Sequence, residues 1–225
     1  MLIEVIALTK QDVIEAEKQG YDRVELVSSI DQDGLTPDLE LVQSIMEEKL
    51  SIPVQVMIRP HDKGFYYNEE DTQVILNSFQ EMYKLGVRRF VFGALNQDNT
   101  VDEVMLQDIQ DIADDIRITF HRAIDFSKDI EVSYQVIAKY PKLIERVLTS
   151  GGEPTCTAGK ETIKRLLQLS EQWNGPVVMP GSGITLTNLL PFHEEVQAGE
   201  YHVGKGVRHD QSYHNRFVSR PAEWK

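Results

Sequence analysis

The sequence has a single cysteine, Cys156, among 225 residues, so no disulfide can close within the chain and a cytoplasmic setting is expected. No apolar run approaches the ~20 residues that cross a bilayer, and no membrane partner is expected. The opening, MLIEVIALTK, breaks its apolar run at Glu4 and lacks the basic start of a signal peptide. Basic residues are in the minority: 23 Lys and Arg stand against 36 Asp and Glu, a formal net charge of −13. Such a field repels a phosphate backbone, which argues against nucleic acid as a partner. The glycine-rich fingerprint of a dinucleotide-binding sheet is missing after the first apolar run, where IALTKQD stands. No linker or composition break divides residues 1–225, so a single domain is expected.

What is present is alternation. Short runs rich in Val, Ile and Phe recur at 2–7, 23–28, 54–60, 89–94, 117–122, 146–150, 176–181 and 201–206, each bounded by turn residues as parallel strands are. Helix signals lie between them. Thr9 can open a helix that Gly20 closes; Thr36-Pro37 reads as an N-cap and first helical residue; Asn68 precedes three acidic residues; Thr100 and Glu103 have capping-box spacing. Eight strand–helix units fit an α/β fold, a single TIM (β/α)8 barrel. The barrel should occupy residues 1–204. The stretch 205–225 has no helical period, so the last helix should be missing or replaced by an irregular tail.

In such a barrel the outward side chains lie under helices and the inward ones line the lumen. With Ile3, Val5, Val24, Leu26, Val54, Val56, Ile118 and Phe120 outward, parity turns Glu4, Glu25, Gln55, Met57, Arg59 and His121 inward, and His202 from the eighth strand. Buried charges must be paired, so one reading is an internal ion network that holds the barrel together. The other is a site, because Arg59, His121 and Arg122 close their strands on the face where barrels of this kind carry their chemistry. Glycine-rich loops at Ser150–Gly151, Gly181–Gly183 and Gly204 can offer backbone N–H groups to an anion. Arg59, His61, Lys63, Arg122, Lys205 and Arg208 gather at the same rim, a basic mouth suited to a small anionic ligand. Glu4, Glu25, His121 and His202 offer mixed oxygen and nitrogen donors of the kind Zn²⁺ or Mn²⁺ takes. The sulfur donors available to Cu(I) are Cys156, Met57 and Met179, the methionines equally at home in a core.

These segments carry a family resemblance. DRVEL (22–26), DGLTPDL (33–39), IPVQVMIRP (52–60), VFGAL (91–95), TVD (100–102), TFHRAID (119–125), RVLTSGG (146–152) and VMPGSGIT (178–185) resemble the CutC family, proteins linked to copper homeostasis. The resemblance implies a TIM barrel, a cytoplasmic location and a role in copper handling, with Cu(I) binding suggested for members. Two positions depart from it: Val27 and Tyr66 stand where relatives tend to carry cysteine, and a valine cannot replace a thiolate.

Two functions follow from these readings. One is a copper-homeostasis protein that binds or responds to Cu(I). The other is an enzyme acting on a small anionic or phosphorylated metabolite. There Arg59 and Arg122 clamp the anion, His121 is the general acid or base, Glu4 or Glu25 orients it or shares the proton transfer, and Asp125 completes the polar pocket. A homo-oligomer stays open.

Overall fold

Strands with one apolar face against helices and a second face of mixed character curl into a barrel, and the computed structural model, which describes residues 1–224, has eight of them in parallel. They are β1 (Leu2–Ala7), β2 (Arg23–Leu26), β3 (Val54–Met57), β4 (Arg89–Phe92), β5 (Arg117–Phe120), β6 (Ile144–Thr149), β7 (Val177–Pro180) and β8 (Glu200–Val203). Their hydrogen-bonded order is β7-β6-β5-β4-β3-β2-β1-β8. Strands β7 and β8 also lie against each other, giving a nearly closed TIM-type barrel.

The helices are α1 (Lys10–Lys18), α2 (Leu39–Met46), α3 (Glu69–Lys84), α4 (Glu103–Gln110), α5 (Ile130–Ile137), α6 (Lys160–Trp173) and α7 (Leu189–Val196). Outward strand residues pack under them. Phe79 of α3 sits on Phe90 and Phe92 of β4, with ring centroids 4.7 and 5.6 Å apart. Truncating such a wholly buried phenylalanine to alanine costs about 3–5 kcal/mol.

Caps explain where helices begin. Thr9 accepts from the Asp12 N–H, and Asn68 and Asp71 form a reciprocal capping box. Two expected starts are displaced. Helix α4 is capped by Asp102, which accepts from the Met105 N–H, instead of by Thr100. Thr36 does not cap α2, whose N-cap is Asp38. Its hydroxyl instead accepts from the Arg59 N–H at 2.8 Å, while its own N–H donates to the Arg59 carbonyl at 3.0 Å. A residue with cap chemistry is thus spent on fixing the chain beyond β3.

No eighth helix forms among the described residues. Short 3-10 turns at Lys205–Val207, His209–Gln211 and Ala222–Trp224 take its place. This tail is nonetheless packed: Trp224 is fully buried, and Phe217 lies 5.6 Å from Tyr21. Arg208 stacks 3.9 Å above Phe217 and pairs with Asp12 at 3.0 Å. Arg208 therefore belongs to the tail's packing and not to the basic rim.

Candidate functional site

Inside the barrel the polar residues divide into two groups. The first is a closed network near the N-terminal ends of the strands. Arg23 pairs with Glu4 and, at 2.7 Å, with Glu200; Arg146 reaches Glu200 at 3.1 Å. Glu4 also takes the Nδ1–H of His202 at 2.8 Å. Burial alone would raise the Glu4 carboxyl, but Arg23 and His202 outweigh it and hold it down to about 2. Sequence reading did not single out Arg23 or Arg146, although the rule that turns Glu25 inward turns Arg23 inward as well.

The second group faces a cavity of about 710 Å³ at the C-terminal mouth, within the range of small-molecule pockets. Arg59, His121 and Arg122 lie just past their strands and not within them, because β3 ends at Met57 and β5 at Phe120. Arg59 is 6% exposed, yet no carboxylate pairs with it among the described residues. Its Nη1 donates to the carbonyls of Gln32, Asp33 and Gly34, and its Nε has no acceptor.

His121 is equally incomplete. The Ala123 N–H donates to its Nδ1 at 3.2 Å, which puts the ring proton of neutral imidazole on Nε2. That atom has no partner. Burial, then the neighbouring Arg59 charge, pushes its pKa down to about 3, so the residue expected from sequence as a general acid or base is a neutral ring with an Nε2–H to donate. Gly93 makes room for it: a Cβ there would meet Nδ1 at 2.6 Å. Phe65 covers both groups, 5.2 Å from the Arg59 guanidinium and 5.1 Å from the His121 ring. With exposed Tyr66 and Phe126 it supplies an aromatic wall. Sequence reading missed this wall, because lone aromatics in loops have no period to reveal them.

At the cavity floor Glu25 and His202 meet. Burial pushes the Glu25 carboxyl up to about 7, with His202 opposing and Glu4 reinforcing the rise. Burial would lower His202, but Glu25 and Glu4 raise it above its ordinary value. Glu4 lies below, orienting His202 and not His121.

Several expected site residues do other work. Asp125 does not line the cavity; it accepts from the Ser150 and Gly152 N–H groups, the Thr149 and Ser150 hydroxyls and Arg122 Nε. The Gly151 N–H goes to the Thr149 hydroxyl and the Gly181 N–H to the Thr149 carbonyl. Ser150, Gly151 and Gly181 thus have no N–H left for an anion, because the loop folds around its own carboxylate. Arg122 lines the cavity but is held by Asp125 at 2.9 Å and by the Ser150 hydroxyl at 2.9 Å. Gly183, Gly204 and Lys205 do line the cavity. His61 and Lys63 do not, whereas Asp33 and Asp62 do, so the mouth is of mixed sign.

A family model, the CutC family, matches residues 1–207. The chain belongs to that family. It is 35% identical over 202 residues to the human copper homeostasis protein cutC homolog, covering 89% of this chain and 72% of the human one. A family protein CutC from Xylella fastidiosa (strain Temecula1) is 34% identical over 200 residues, covering 89% and 73%. Among solved structures, a copper homeostasis protein CutC from Streptococcus agalactiae superposes with a TM-score of 0.81 at 23% identity, over 90% of this chain and 98% of that one.

Family membership raises the question of copper, and the donors present do not fit Cu(I). Val27 is buried beside Met57 in a small apolar cluster, and Tyr66 is 47% exposed at the mouth. Cys156 lies in the separate main core, where burial pushes its thiol up to about 11 and keeps it protonated. The Met179 sulfur accepts from Arg23 at 3.2 Å, a setting hostile to a second cation. The three sulfurs expected from sequence form no common site: Met57 alone of them reaches the cavity.

Proposed function

We propose that this chain serves copper homeostasis in the cytoplasm, as the name of its human relative suggests, and that it acts through the barrel-mouth cavity on a small anionic or phosphorylated metabolite. The observation that carries this reading is Arg59, a nearly buried guanidinium with no carboxylate among the described residues to neutralise it. A desolvated cation without a partner is costly, and an incoming anion would supply the missing charge. His121 stands beside it under the same aromatic ring. Its neutral Nε2–H can donate to an anionic oxygen without itself needing to change protonation. Lys205 adds an exposed positive charge at the rim.

Thermal unfolding in rising inorganic phosphate, at constant ionic strength held with chloride, tests the reading. Ligand linkage should raise the wild-type midpoint and leave Arg59→Met unmoved. Equal shifts in both proteins would overturn it.

Direct binding of Cu(I) is the second reading, supported by the family's name. Competition against a Cu(I) chelator should show weak binding that Cys156→Ser removes. Tight stoichiometric binding that survives Cys156→Ser would refute this account of the sulfur donors.

A further inference from the structure

Among the described residues, Glu4, Glu25 and His202 bring their donor atoms within 4.8 Å of one another, all three buried. Acidic clusters often need no metal, but this one has unsatisfied neighbours. Glu25 Oε1 has no hydrogen-bond partner, and neither does either end of the Gln55 amide. Gln55 is wholly buried. It pairs with Glu25 in the β2–β3 register, and its neighbours Val54 and Val56 pack on the helix side, so the amide is directed to the interior beside the carboxyl. A buried amide that makes none of its hydrogen bonds calls for an explanation.

The histidine is prepared in a particular way. Glu4 takes the Nδ1–H of His202 at 2.8 Å, and Arg23 pins Glu4 from the other side. In the protonated ring Nε2 and Glu25 Oε2, 3.7 Å apart, form an ion pair, and a cation bound between them would displace that proton and take the Nε2 lone pair. That separation is too long for a hydrogen bond. It is close to the ~3.4 Å between two donors on one tetrahedral ion at about 2.1 Å from each. A carboxylate that holds the far nitrogen of a ligating imidazole is the usual outer support of such sites.

We propose that His202 Nε2, the Glu25 carboxylate and the Gln55 side-chain oxygen form a site for one divalent cation, Zn²⁺ or Mn²⁺, with Glu4 as its outer support. One imidazole with oxygen donors suits these borderline and hard ions and not Cu(I), which prefers sulfur. Glu25 and His202 line the cavity floor, so the remaining coordination positions face the same space as Arg59 and His121. The site stands whether or not the cavity takes an anion.

Calorimetric titration of the chelator-treated protein with ZnCl₂, and separately with MnCl₂, tests it. One saturable ion per chain is expected. Glu25→Gln and His202→Ala should each weaken it at least ~10-fold, Gln55→Leu by about 10-fold, and Cys156→Ser not at all. Pulsed electron paramagnetic resonance of the Mn²⁺ form should show nitrogen coupling that His202→Ala abolishes. If His202→Ala does not fold, the isosteric Glu25→Gln decides alone. No saturable binding, binding that Glu25→Gln leaves intact, or binding lost only in Cys156→Ser would each overturn the proposal.

Discussion

Arg23 and Arg59 are both inward arginines of one barrel, on adjacent strands or just beyond them, and each is less than a tenth exposed. Arg23 is neutralised: Glu4 takes its Nε–H, and Glu200 and the Met179 sulfur take hydrogen bonds from its Nη2. Arg59 has only loop carbonyls on one nitrogen and an idle Nε. The first arrangement closes the N-terminal end with a neutralised plug. The second leaves a charge waiting at the open end, beside a histidine donor that is also unused. Ion networks that serve stability complete themselves, whereas a group kept for a ligand remains incomplete until the ligand arrives.

The sharpest way to break this comparison is to remove each arginine in turn. Arg23→Met strands the Glu4 and Glu200 carboxylates below the cavity, and should cost about 3–5 kcal/mol, read by urea unfolding with an unchanged slope. Arg59→Met should cost no more than about 1 kcal/mol, the worth of its bonds to loop carbonyls. Equal losses would erase the distinction between plug and site.

Acid should expose the plug next. Glu4 is held near about 2 in the folded chain, below its ordinary 4.5. Its contribution is therefore complete above pH 4.5 and is lost as pH falls toward 2. The pH dependence of stability over that interval should flatten in Glu4→Gln, even though that variant starts out less stable.

Glu25 should behave in the opposite sense. Its carboxyl is raised from 4.5 to about 7, so the fold favours the protonated form and loses stability as pH rises from 4.5 through 7. Glu25→Gln should accordingly be more stable than wild type at pH 8, by about 1–3 kcal/mol, and the gap should close by pH 4. Thermal unfolding at the two pH values measures it. A modest effect belongs to His121→Leu, expected to cost about 1–3 kcal/mol: the ring is neutral and its Nε2–H makes no bond to lose, but the buried Ala123 N–H loses its acceptor Nδ1.

Much of this contrast could be read from the chain before folding. Strand parity placed Glu4, Glu25, Gln55, Arg59 and His202 in the lumen, where all are buried. It could not say which carboxylate meets which cation, because residues far apart in sequence become neighbours only when β1 pairs with both β2 and β8. Asp125 was misread for a related reason. Its position beside His121 and Arg122 suggested a shared pocket, but its carboxylate turns away to bind the amides of Ser150 and Gly152, 25 and 27 residues on. Thr36 was misread because its cap chemistry serves equally well to tie down the Arg59 backbone.

The sequence by itself determined the eight-fold alternation, the absent last helix and the inward set of polar residues, since periodicity and turn chemistry act over a few residues and need no distant partner. The family motifs added the CutC assignment. Only the tertiary structure decided which of those polar residues are satisfied. Arg23 finds Glu200 across 177 positions and is neutralised; Arg59 finds carbonyls and stays charged and available. Pairing in a low-dielectric interior depends on distances of a few ångströms between separate strands, and closing the barrel is what sets them.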